Sequence, residues 1–411
     1  MRISLAASLL VLAAAAPAAA LDLPQVPPTD VNAARAGESG RPIVVTGIRI
    51  QDYRDRLAAC LARHCPVNED IDATLALAEA HFLNGDYGPG RQAVRASIGR
   101  NRDQASVFPE PVSDLFRAHT RLSRHLGYDD QAARSANDIL RALQAGLPRE
   151  DYRHFTARLE IADLQMGMGN ANRARRELAE LARAAGAANR PDVVAMAELR
   201  TIWFDYIVNA DGASKSRLVA LSRAADPAQR FLATGAKILL SRIYRSEGDG
   251  AGADALLAEV GHGNGAQAQR RLISSPRYEL QISERTPIGE VAANPGISEM
   301  VLLNNVNNRR LDNFEGKWID VGFWVMPDGR VSELEVERVG GEAQWATPLL
   351  DSIRGRLYST AAEPTYRLER YTYTSGYEAQ TGTHIAQHSP RARAEYLDLT
   401  ANAPDASPPS P

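Results

Sequence analysis

Cys60 and Cys65 stand five residues apart in this 411-residue chain, with Pro66 directly after them. In an oxidising compartment such a pair most simply forms a disulfide. Along an unbroken helix, residues five apart lie on different faces, with their Cα atoms too distant for a bridge. The bond therefore requires the helix to stop near Arg63, and Pro66 pushes the residue before it out of helical backbone. The alternatives are a metal pair with His64 or two free thiols. A structural zinc site needs four ligands, and no second Cys pair exists.

Other residue types with chemical potential do not fall into a catalytic pattern. The eight histidines stand at 64, 81, 119, 125, 154, 262, 384 and 388. His384 and His388 are four apart, but only Ile385, Ala386 and Gln387 separate them. A zinc peptidase helix needs a Glu there. His81, His119 and His125 fall within helical patterns and read as packing or solvated residues. No Gly-x-Ser-x-Gly elbow and no Walker loop occurs. Gly261 to Gly265 lacks a preceding strand and the dinucleotide spacing, so it reads as a helix terminus. Asp249 to Asp254 lacks the acidic series of a calcium loop. The expectation is a chain with no catalytic residue, no cofactor and no metal. The alternative from another class is an envelope hydrolase that uses carboxylates on a concave face.

The elements that would position these residues are mostly helical. Between about Asp70 and Gly263, Gly turns recur at Gly85, Gly127, Gly169, Gly212 and Gly248, spaced 36 to 43 residues apart. Each separates two runs with apolar residues at helical spacing. Leu75, Ala78 and Phe82 form the first stripe; Leu115, Ala118, Leu122 and Leu126 the second. Phe155, Leu159, Ala162 and Met166 form the third, Leu199, Ile202 and Tyr206 the fourth, and Phe231, Gly235, Ile238, Leu239 and Ile243 the fifth. One hairpin cannot bury such a stripe alone, whereas stacked hairpins bury each against its neighbour. Pro109, Pro111, Pro148, Pro191 and Pro227 mark the joints, where a missing N–H costs little. Asn68 suits a helix N-cap after the Cys turn. The pattern, for instance Ala78 to Tyr87 around Gly85-Asp86, resembles tetratricopeptide-type repeats at a period longer than the usual ~34. The resemblance implies binding of peptides or partner proteins on a concave surface.

The ends carry different signals. Arg2, the apolar run Ile3 to Ala16 and the small residues Pro17 to Ala20 match a signal peptide cleaved after Ala20. That run is shorter than the ~20 residues of a bilayer span, and no later stretch is apolar enough to cross. A soluble mature protein in the periplasm is expected. The leader 21–50 is Pro-, Ala- and Gly-rich and reads as extended or disordered. Within it, Pro42 to Gly47 resembles the segment that opens the plug of TonB-dependent receptors, but it reads as a short edge strand or an arm. Apolar content of 44 % and a formal charge of −3 are ordinary. Bulk charge points to neither nucleic acid nor an acidic membrane surface. Lys occurs only at 215, 237 and 317, and the Arg bias reads as genome composition.

Near Gly316 the period changes to two. Ile319, Val321, Phe323 and Val325 alternate with Trp318, Asp320, Gly322 and Trp324, which is a strand. A Pro327-Asp328-Gly329 turn, a second strand Arg330 to Arg338 with Leu334 and Val336 on one face, and a Gly340-Gly341 break follow. Trp345, Leu349, Leu350, Ile353 and Leu357 then read as a helix. Tyr366 to Tyr377 alternates again, with Tyr371, Tyr373 and Tyr377 on one side. Gly316, Gly329 and Gly340 occupy the breaks of a pattern that resembles the C-terminal domain of TonB-type energy transducers. That resemblance implies an envelope protein whose sheet edge pairs with an extended peptide. The Tyr-Pro element before the first strand is missing, and a cleavable signal stands where a transducer has its membrane anchor.

The expected organisation is thus mainly α: a signal peptide 1–20, the leader 21–50, a helical-hairpin solenoid 51–273 and a linker 274–303. A small α+β domain of ββαβ order then spans 304–381, and a disordered tail 382–411. The expected function is a periplasmic protein-binding scaffold with a protein or extended-peptide partner. An atypical part in TonB-linked outer-membrane transport is the alternative.

Overall fold

The structure, a computed structural model, describes residues 49–209, 212–224, 230–260, 270, 272–280, 314–379 and 386–400. The expected signal segment with its cleavage after Ala20, the arm Pro42 to Gly47, most of the linker, Asn304 to Arg310, Gly261 to Gly265, Pro227 and His384 lie outside these residues. Helix α1 (Ile50–Ala62) precedes five hairpins. These are α2 (Val67–Leu83) with α3 (Tyr87–Asn101), α4 (Pro109–His125) with α5 (Asp129–Gly146), and α6 (Tyr152–Gly167) with α7 (Ala171–Ala187). Then come α8 (Pro191–Asn209) with α9 (Gly212–Ser222) and α10 (Arg230–Ser246) with α11 (Gly250–Val260). Each core lies between neighbours, as the stripes require. Leu115 and Leu122 meet Ile71, Phe82 and Val94. Phe155, Ala162 and Met166 meet Leu178, Ala197 and Phe204. Leu199 and Ile202 meet Leu239 and Ile243. The first helices form one layer, α2 against α4 and α8 against α6 and α10.

Four hairpin turns share one backbone device. Gly85, Gly127, Gly169 and Gly248 have φ between 78° and 89°. The next residue's N–H reaches back to a carbonyl five residues earlier at 2.8 Å, as in Asp86 to His81 and Asn170 to Gln165. This is the Schellman ending, in which a left-handed residue turns the chain so that orphan carbonyls gain donors. The fourth turn differs from the expected series, since Gly212 opens α9 as a helical residue. Asn189 takes the left-handed role between α7 and α8, with φ 53°. Pro109 and Pro191 open α4 and α8, as their positions in the sequence implied. At α2 the cap is Pro66, and Asn68 lies inside the first turn.

The C-terminal module is a four-stranded antiparallel sheet ordered β3-β2-β5-β6, with a two-stranded β1-β4 ribbon beside it. The strands are β1 (Leu272–Ser274), β2 (Trp318–Val325), β3 (Val331–Gly340), β4 (Leu357–Tyr358), β5 (Thr365–Ala379) and β6 (Ala386–Asp398). Helix α12 (Thr347–Arg354) packs Leu349 and Ile353 onto Ile319, Val321, Phe323 and Tyr373. Leu357, expected at the end of this helix, lies in β4, because α12 ends at Arg354.

Two expectations are corrected. The tail 382–411 contains a 13-residue strand, β6, along the far edge of β5. Its sequence is rich in charge, and only small or isolated apolar residues, Ala392, Ala394 and Leu397, pack on the cores beside it. The linker 274–303 begins within β1, and Tyr278 and Leu280 pack on the module's core. The last hairpin also reaches this ribbon, because Arg242 of α10 donates to the carbonyls of Ile273 (2.9 Å) and Leu272 (2.6 Å).

Candidate functional site

Cys60 and Cys65 form a disulfide, with Cα atoms 5.1 Å apart. The reason is local backbone. Helix α1 ends at Ala62, His64 has φ 54°, and Cys65 N–H bonds Cys60 O at 3.1 Å. This is again a Schellman ending, which brings together the two positions the cysteines occupy. The helix stop expected near Arg63 is therefore made by His64 in the left-handed region. A Glu69 carboxylate oxygen lies within 4.8 Å of both sulfurs. A thiolate zinc or other metal site there would require the bond to be broken first.

A larger constellation joins the sheet to the first two hairpins. Alternation puts Trp318, Asp320, Gly322 and Trp324 on the face of β2 opposite α12. This face is also buried, so every residue of β2 is buried. Arg370 of β5 lies opposite Asp320, and both are fully buried. The guanidinium is bidentate on the carboxylate, Nε to Oδ1 at 2.6 Å and Nη2 to Oδ2 at 2.9 Å. Its remaining donors reach the carbonyls of Phe82 and of Leu83 (2.9 Å) at the C-terminus of α2. A cation there adds donors to the last carbonyls of α2 and complements the negative end of the helix dipole. The plane also stacks on Trp318, 3.9 Å from the ring centroid. Arg338 adds a second donor to Asp320 at 2.8 Å.

The second hairpin contributes a parallel set. Thr372 Oγ1 lies 2.7 Å from Tyr87 OH and 2.8 Å from His125 Nδ1. Arg393 of β6 is bidentate on Asp129 (2.7 and 3.0 Å), while Arg124 and Arg393 both reach Glu395. Burial alone would raise the Glu395 carboxyl, but the two arginines hold it at about 2. Burial lowers His125 to about 3, keeping its ring neutral. Tyr377, expected beside Tyr371 and Tyr373, instead stacks on Tyr128 with centroids 5.2 Å apart.

On the α12 side, Glu369 accepts from Arg356 Nη1 (2.7 Å), Arg367 Nε (3.2 Å) and Tyr371 OH. Both carboxylate oxygens are thereby occupied. The inner helix layer carries its own ion pairs. Arg117 joins Asp114 (2.8 Å) and Glu160 (3.2 Å), Arg200 joins Asp163, and Arg121 stands exposed beside them. Burial raises the Glu160 carboxyl, with Arg117 opposing it.

The two outer strands of the sheet are β3 and β6. The edge of β5, the last strand expected from the sequence, is already paired with β6 from Glu369–Asp398 to Ala379–Ala386. Among the described residues, the outward bridge nearest β3 is from Arg330, just before the strand, to Leu357.

No family model matches the chain, and no curated protein matches it. Solved structures do. A likeness to BtubC (BKLC) from P. vanneervenii has 16 % identity and a TM-score of 0.39, over 56 % of this chain and 98 % of that one. A Podosopora anserina protein described as a putative kinesin light chain with nearly identical TPR-like repeats matches at 13 % identity and a TM-score of 0.34. That match covers 46 % of this chain and 92 % of the other. At such values they add nothing to what the helices of this chain show on their own.

Of the expected site residues, the cysteines are brought together. His81, His119 and His125 are packing residues in the first two hairpins, all buried. The residues missed by sequence reasoning are Asp320, Arg370, Arg393 and Glu395. The available signal was a charge within an otherwise apolar strand pattern, Asp320 between Ile319 and Val321.

Proposed function

We propose that the chain is a secreted envelope scaffold that receives a protein or extended peptide, with the inner helix layer and the sheet as its two binding elements. The observation that carries this reading is the anchoring of the sheet. It is tied to the first two hairpins by Arg370 and Arg393, and the β1-β4 ribbon beside it is tied to α10 by Arg242. Array and sheet are thereby held in one register, as a surface that must present two contacts to one partner requires. The signal-like start supports export, and the Cys60–Cys65 bond is the kind that persists in an oxidising compartment. The Gly316, Gly329 and Gly340 pattern supports a TonB-C-like origin for the sheet and a role near outer-membrane uptake. Because β6 fills the edge of β5, strand pairing with a partner falls to an outer strand, and we assign it to β3, where Val336 and Val339 are exposed.

The test is in-cell photocrosslinking of the full chain from position 339 on β3 and position 121 on the inner layer. Capture of one envelope protein from both positions is the expected result. Capture from neither would remove the scaffold reading. Sequencing of the purified mature N-terminus should begin at Leu21; an intact Met1 in a cytoplasmic fraction would refute export.

A further inference from the structure

Among the described residues no strand pairs with the outer edge of β3, and the strand has two unlike faces, set by register and by two bulges. Val339 and Val336 pair with Ile319 and Val321, so they share the α12 face. They project beyond the core, 49 % and 39 % exposed. Glu335 pairs with Gly322, and Glu337 accepts from Tyr366 OH at 3.0 Å, so both acids lie on the opposite face. Glu335 and Glu337 are exposed. Arg338 gives them no free cation, because it is committed to Asp320 and Trp318. Burial and these two glutamates raise the Tyr366 hydroxyl, so the phenol stays a neutral donor that leaves their charge in place. Edge strands commonly carry charge as protection. Here Glu335 and Glu337 stand on one face with Arg338 turned to Asp320 beside them, and the other face shows the apolar side chains of Val336 and Val339.

We infer that the β3 edge from Glu335 to Val339 takes an extended strand that alternates apolar with basic residues. This rests on the strand-pairing reading above and names the chemistry of the partner. An added strand places successive side chains on opposite faces. Its apolar residues would cover Val336 and Val339, and its Lys or Arg residues would face Glu335 and Glu337. A second copy of this chain is disfavoured as the occupant, because β3 pairing with itself would bring glutamates of both copies onto one face.

The test uses the purified full chain and three fluorescent peptides followed by anisotropy: alternating Val-Lys, alternating Val-Glu, and Val-Lys interrupted by Pro. The Val-Lys strand should bind about tenfold or more tightly than Val-Glu, since cross-strand charge pairs add across the strand. Its affinity should weaken with salt. The Pro-interrupted peptide, with the same charge, should not bind. The double variant Glu335→Lys with Glu337→Lys should reverse the order of the two alternating peptides. If that variant does not fold, the salt dependence and the Pro comparison on the unaltered chain still decide. Equal binding of Val-Lys and Val-Glu would overturn the charge inference while leaving strand pairing intact. Binding by none of the peptides would overturn both. Self-association that Val339→Lys abolishes would replace the peptide with a second copy.

Discussion

Four hairpin turns have nearly the same backbone, yet they do two different jobs. A Cβ at Gly85 would collide with the Trp318 ring, and one at Gly127 with the Ser375 carbonyl. A Cβ at Gly169 or Gly248 would meet nothing. In all four, Gly serves the left-handed turn. In the first two it also lets the sheet approach. A repeat array is periodic in its own backbone and need not be periodic in what rests upon it. The first half of this array is a docking platform, and the second half keeps its turns open.

The sharpest way to break that difference is at Arg370. Arg370→Met leaves Asp320 short of its main counter-charge and removes a side-chain donor from the Phe82 and Leu83 carbonyls. We expect a loss of about 3–5 kcal/mol, since removing one partner strands a buried charge. Urea denaturation measures it, and amide exchange should rise around Gly85 but not around Gly248. Unchanged stability would mean the sheet is held by packing alone.

The glycines compare the two halves directly. Gly169→Ala should cost only the left-handed strain, about 1–2 kcal/mol. Gly127→Ala should cost that plus a further ~1–3 kcal/mol, because a backbone carbonyl must move. Thermal unfolding of the two variants tests the order, and equal losses would contradict the docking.

A smaller effect is expected at the first end of the array. Replacing Cys60 and Cys65 by Ser opens a short loop, with a loss of about 2 kcal/mol at most from chain entropy. Exchange should increase in α1 and leave α4 onward unaltered. Thiol labelling of the native chain without reductant should modify neither cysteine.

Acid gives the mildest test near neutrality. His125 and His119, lowered by burial to about 3 and about 4, stay neutral when folded and protonate in the unfolded chain below 6.5. Their contribution is therefore lost as pH falls from 6.5 toward 4 and then 3. Glu395 sits at about 2 when folded against 4.5, so its contribution is present above 4.5 and lost as pH falls from there to 2. All three lie in or on the second hairpin. Exchange at pH 5 should therefore quicken in α4 and α5 before α10.

Much of this molecule can be read along the chain. Gly85, Gly127, Gly169 and Gly248, Pro109 and Pro191, and the stripes around Leu115 and Phe155 are local signals, because helix periodicity and capping depend on residues within a turn or two. The Cys60–Cys65 bond belongs with them, since its geometry is set by six consecutive residues. Ile319 to Val325 and Tyr371-Tyr373 announce strands for the same reason. What the polar tail would do was not visible, because β6 gains its place from β5, from Asp129 and from Arg124 rather than from its own pattern.

Sequence alone therefore determined the helical hairpins, four of their Gly turns, the disulfide turn and a small antiparallel sheet after them, all of which follow from short-range periodicity and backbone preference. Tertiary structure decided the rest. Arg370 meets Asp320 across 50 residues and Phe82 across 288. No local pattern distinguishes an Asp that faces water from one buried against an arginine and the end of a helix. The second sheet face is closed by that pairing of distant charges, and β6 is held against the array where Arg393 meets Asp129 across 264 residues.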